Sequence, residues 1–109
     1  MSTNEFPKSK VVQLKEEVAY QNGSIVSRII LKKDSGNLTL FAFDKGQSLS
    51  EHTAPFDAIV QVLEGKAEVV IAGESYQLNE NETIIMPADI PHAVNAIEQF
   101  KMMLTMVKN

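Results

Sequence analysis

Two histidines carry the chemistry this chain can offer, since there is no cysteine to serve as nucleophile, thiolate ligand or disulfide partner. His52 lies within GQSLSEHTAPFDAIVQVLEG (46–65), and His92 ends MPADIPH (86–92). An imidazole can ligate a transition metal or act as general acid or base, because its unperturbed pKa lies near neutrality. Two histidines spaced His-x-His on a strand would aim at one point, because alternate residues share a face. Here the second position is Ala54. Ser50, His52 and Asp57 can be written as a triad, but no nucleophile-elbow sequence surrounds the serine.

Both histidines need elements to position them, and the chain supplies short strands. SIVSRIILKK (24–33) is rich in β-branched residues and runs into DSGN (34–37), a turn cluster. NLTLFAFD (37–44), DAIVQVLEG (57–65), KAEVVIAGES (66–75), YQL (76–78), TIIMP (83–87), HAVNAI (92–97) and FKMMLTMV (100–107) continue the series. VVQLKEEVA (11–19) fits a helical turn or an edge strand equally, and residues 1–8 read as disordered. Pro87 and Pro91 end a strand and shape the loop before His92. Many short strands, turn residues between them and hardly a helix predict an all-β sandwich or barrel.

Composition bounds the rest. A chain of 109 residues with 44% apolar and 22% charged residues is expected to form one globular domain over 1–109, its core at about 24–107. A net charge of −4 and 6% aromatics argue against nucleic acid, which needs a basic surface. No apolar run reaches membrane length and the N-terminus lacks a secretory pattern, so no membrane partner and a cytoplasmic location are expected.

The sequence resembles the small single-domain cupins, RmlC-like proteins built as a jelly-roll or double-stranded β-helix barrel. Their first motif is glycine, five residues, His-x-His, three or four residues, glutamate, six residues, glycine. It falls on Gly46, His52, Ala54, Ala58 and Gly65, matching both glycines and the first histidine. The second motif falls on Pro87, Asp89 and His92, with aspartate where glycine is usual; Ala96 holds the terminal asparagine's place, one residue after Asn95. In that family the motif histidines and glutamate hold one divalent transition metal. The resemblance therefore implies a degenerate metal site with His52 and His92 as surviving ligands. Asp57 is the candidate substitute, provided a bulge near Pro55 turns it inward.

These residues support a small-molecule-binding protein with an incomplete metal site, no high-affinity cofactor and a divalent transition metal as the optional one. His52 and His92 form the polar end of the expected pocket, with Phe41, Phe43 and Met86 on its wall. Two other readings compete: a metal-dependent oxygenase or isomerase using His52, His92 and Asp57, and a regulatory or interaction module. The bland alternative makes both histidines satisfied interior groups. A homodimer is expected because FKMMLTMV and SIVSRIIL are apolar on both faces, and each face needs a cover.

Overall fold

The computed structural model describes residues 6–108. Seven strands are ordered β1 (Ile25–Lys33), β2 (Gly36–Phe43), β3 (Ser48–His52), β4 (Asp57–Ile71), β5 (Glu74–Leu78), β6 (Thr83–Met86) and β7 (His92–Val107). All pairings are antiparallel. The two long strands run through two sheets. The first half of β4 pairs with β6 and with the end of β7, which pairs with β2 and so with β1. The second half of β4 pairs with β5 and with the start of β7, which pairs with β3. This is a jelly roll, closed by strands that change sheet.

The sequence pattern divides β4 at Glu64-Gly65 and β7 near Gln99, and both divisions are bends within continuous strands. Register slips between Val62 and Glu64 and again between Gly65 and Ala67. Gly65 takes φ 84, and a Cβ there would collide with the Gln99 carbonyl oxygen. A bulge of this kind turns a strand without ending it. Its effect shows in the burial pattern: β4 buries even positions (Ala58, Val60, Val62) before the bend and odd ones (Ala67, Val69) after it. KAEVVIAGES likewise is two strands, broken by Ala72 (φ 52) and Gly73 (φ 81) in the tight hairpin that joins β4 to β5.

Between the sheets lies the main core, where Phe43 stacks on Phe100 at 4.5 Å. Phe43, Phe100 and Met102 are fully buried, each contributing about 1.5–3 kcal/mol from apolar burial. A second cluster (Leu40, Ala42 and Val18, with Leu14, Tyr20 and Met103 against it) sits on the outer face of the larger sheet. Residues 11–19 resolve as a 3₁₀ turn at Leu14–Glu16 leading into buried Val18. The disorder expected for 1–8 lies, for residues 1–5, outside the described residues. At Phe6 the chain is tied down instead: its N–H donates to the Ile30 carbonyl at 3.1 Å, and its ring lies 4.4 Å under the Arg28 guanidinium. Apolar side chains on the outward face of β2 give this segment something to pack against.

Gly65→Ala is therefore expected to cost about 3 kcal/mol or more, combining a backbone collision with an unfavourable positive φ. Gly73→Ala, where a Cβ meets open space, should cost only about 1–2 kcal/mol. Urea denaturation of both variants checks the contrast.

Candidate functional site

His52 and His92 face each other as directly opposed residues of β3 and β7. Their rings meet edge to face with centroids 4.5 Å apart. A one-residue slip between Leu49 and His52 makes this possible: it carries the inward face from Leu49 to His52 rather than to Glu51. Leu49 and His52 accordingly line the same pocket. The pleat alone would have separated them.

Each ring is oriented by a backbone carbonyl two residues earlier. The Nδ1 of His52 is 2.8 Å from the Ser50 oxygen, and that of His92 is 3.1 Å from the Ile90 oxygen. The two loops that carry them are tied together, since the Asp89 N–H donates to the Ala54 carbonyl at 2.7 Å. Asp89, standing where the motif favours glycine, adopts φ 63, a conformation that aspartate tolerates better than most residues. His52 is exposed at the mouth, while His92 is only 3% exposed.

Behind the rings is a cavity of about 50 Å³, walled by Leu49, Met86, Val94, Met102, Leu104 and Met106 with Ala54 and Ala58. Ala58 pairs with Met86 on one side and Met106 on the other. Thioethers thus flank the position where the motif would place a carboxylate.

The structure brings His52, His92 and Met86 together, and it separates the other candidates from them. Phe43 is packed on Phe100, with Phe41 6.0 Å from it, in the core rather than on the cavity wall. Alternation correctly turns both inward, but it cannot say which stretch of the interior is hollow. Asp57 does not reach the pocket. It precedes inward-facing Ala58 on a regular stretch of β4, and its Oδ1 accepts the Ala88 N–H at 2.9 Å. The bulge that could have turned it inward lies instead at Ser50-Glu51. Met102, Leu104 and Met106, from the FKMMLTMV segment, also wall the cavity. Their even numbering continues that of His92 and Val94 along β7, a period-2 signal readable once HAVNAI and FKMMLTMV are joined.

A divalent ion of the kind this barrel type holds does not fit the residues present. Two imidazoles converge, Ala54 and Ala58 offer no donor atom, and Asp57 is engaged elsewhere. Among the described residues no group of three or more His, Cys, Asp or Glu side chains is placed to hold a metal.

Burial lowers the pKa of His92; the Ile90 carbonyl opposes this, and the neighbouring His52 adds a lesser lowering. The shift favours the neutral ring, which can serve as an acceptor or a base.

The profile of the Cupin domain family matches residues 39–108, more than half of the chain. A conserved protein of unknown function from Streptococcus pyogenes is 41% identical, covering 100% of this chain and 96% of that one, with a TM-score of 0.92. A cupin 2 conserved barrel domain protein from Leptotrichia buccalis is 42% identical over 86% of this chain and 46% of that one, with a TM-score of 0.84. The curated relative "Polyketide synthase CurC" of Streptomyces cyaneus is 29% identical over 70 residues, 63% of this chain. This chain spans about half of that relative's length, 46%.

In an NMR titration His92 should show a pKa below the ordinary histidine value of about 6.5. The unfolded chain then binds the proton more readily than the folded one. Stability is full above about pH 6.5 and falls as pH drops through the window down to the lower native pKa. A native value above 6.5, or stability that rises on acidification through this window, would contradict the burial argument.

Proposed function

The chain belongs to the Cupin domain family, and from that premise we propose that it is a small-molecule-binding cupin whose metal site is incomplete. The carrying observation is a cavity walled by apolar side chains, in which, among the described residues, the two imidazoles are the only polar side chains. Such a pocket, mostly apolar with few convergent polar groups, suits a small organic ligand. The name of one relative, a polyketide synthase, supports an oxygenated carbon compound. Among the described residues no helix is long and apolar enough to cross a membrane; we place the protein in the cytoplasm. Metal-dependent catalysis is the weaker reading, because the Asp57 carboxylate it would borrow faces away from the histidines.

The proposal extends to a homodimer formed through the outer face of the larger sheet. Residues 6–20 cover one part of that face, supplying some of the cover expected from a second subunit. A row remains beyond them: Leu31, Leu38, Thr105, Ile59 and Ile85 are register partners across five strands. None of the four apolar members packs in either core cluster, and Ile85 is 57% exposed. A two-fold partner presenting the same row would bury both copies.

Two measurements test these readings. Protein passed over a chelator-free gel-filtration column should carry substoichiometric metal, because two imidazoles offer too few bonds to offset stripping water from an ion. Ala54→His with Ala58→Glu, at positions that line the pocket beside His52 and His92, should bind nickel, manganese or iron well above the parent. Near-stoichiometric metal in the parent would overturn the incomplete-site reading. For assembly, light scattering at micromolar concentration should give a dimer, and Ile85→Lys should weaken it at least tenfold. A monomeric parent would refute the interface.

A further inference from the structure

The two imidazoles have their tautomers imposed on them. A carbonyl oxygen can only accept, so the Nδ1 atom that faces one must carry the proton. This holds for His52 against Ser50 and for His92 against Ile90. In each neutral ring Nε2 is then a bare lone pair, and among the described residues neither Nε2 has a protein hydrogen-bond partner. The remaining wall is alanine, leucine, valine and methionine, and among the described residues no lysine or arginine lines it. A molecule entering this cavity meets two acceptors and no donating side chain.

That asymmetry selects ligands. At pH 8 a carboxylate or phosphate would lose its hydration and find lone pairs facing its own, gaining a donor only by protonating an imidazole well above the usual histidine pKa. A purely apolar molecule would fill the cavity but leave both acceptors dry. A molecule with an O–H at one end supplies the one proton that an acceptor here needs. The more acidic that hydroxyl, the stronger the hydrogen bond it gives. Resting on the small-molecule reading above, we infer that the pocket takes a neutral molecule bearing a phenolic or enolic hydroxyl, its single proton donated to the Nε2 atom of either His92 or His52, and rejects carboxylates and phosphates.

The wall suits the rest of such a molecule. Met86, Met102 and Met106 are flexible thioethers that make favourable contacts with the edges of flat rings. The cavity of about 50 Å³ is smaller than the roughly 150 Å³ known to accept benzene. A ring therefore enters only as methionines rotate outward, Met86 and Met106 beside the small Ala58 being the candidates.

The test uses the full chain at pH 8 with three probes of similar shape: phenol, toluene and benzoate. Binding is followed through the ring nitrogens of the histidines and the methyl signals of the methionines. Phenol should shift the Nε2 resonance of His92 or His52 and the methionine methyls, and bind at least tenfold more tightly than toluene or benzoate. His92→Phe should abolish the preference of phenol over toluene. Because His92 is buried and that variant could fold poorly, His52→Phe at the exposed mouth is the second variant, expected to reduce the preference several-fold. Equal affinity for phenol and toluene would overturn the hydroxyl inference while leaving the apolar pocket standing. Tightest binding by benzoate would overturn it by revealing a donor in the wall. Binding of none of the three would overturn the inference and the small-molecule reading together.

Discussion

The fold depends on one close approach. At Gly65 the backbone of β4 runs against that of Gln99 and Phe100 on β7 so tightly that no side chain fits between them. Both strands bend there, and the bend lets two chains of hydrogen bonds serve two sheets. Phe100, at the apex, is closed over by Phe43. From this apex the arms of β7 diverge. His92 at one end and Met106 at the other come to line one pocket although fourteen positions apart in sequence. The cavity is the space between the arms of a bent strand, and the glycine is what permits the bending.

The contents of that space follow from what is missing. The buried His92 imidazole resists charging, because its burial would cost the cation desolvation. Alanines at 54 and 58 remove the donors that would have balanced an ion, and thioethers from Met86 and Met106 close over Ala58 from both sides. Backbone carbonyls then hold the rings in one tautomer. The pair is thereby turned from a ligand set into a hydrogen-bonding one, with no change in the barrel around it.

How far the sequence could be read depended on the range of each interaction. Strand identity was legible, since alternation and turn residues act over a few positions. Continuity was not. Glu64-Gly65 carries the same composition whether it makes a hairpin or a bulge, and only the backbone of β7, more than thirty residues away, decides between them. Ala72-Gly73 was missed for a related reason: alanine seldom takes a positive φ, so half the turn signal was absent. The two histidines were found through motif spacing, whereas the Ser50-Glu51 bulge that aims His52 has no mark in the sequence. The pleat correctly argued that Asp57 points away, and the rescue by a bulge failed because the bulge formed at Ser50-Glu51, ahead of Pro55 rather than at it. Phe41 and Phe43 were rightly turned inward, yet pocket and packed core use the same residue types.

The larger sheet is one layer thick, so its two sides are coupled. Met103 faces outward against the segment containing Leu14 and Tyr20, while its neighbours Met102 and Leu104 face the cavity. That segment is held at its edges by polar contacts: the Tyr20 hydroxyl donates to Glu64 at 2.7 Å, the Lys101 ammonium donates to the Lys15 carbonyl, and Arg28 pairs with Glu17 at 2.8 Å. Burial raises the Tyr20 pKa, and the Glu64 carboxylate raises it further, keeping the hydroxyl a donor throughout the physiological range. The half-exposed Arg28–Glu17 pair contributes about 0–1 kcal/mol at most, so the segment is retained chiefly by its apolar residues. The cover outside and the hollow inside therefore share one wall of flexible side chains. Met103, which the N-terminal segment grips, stands between Met102 and Leu104, which wall the cavity, so the outer cover and the pocket are built on one stretch of β7.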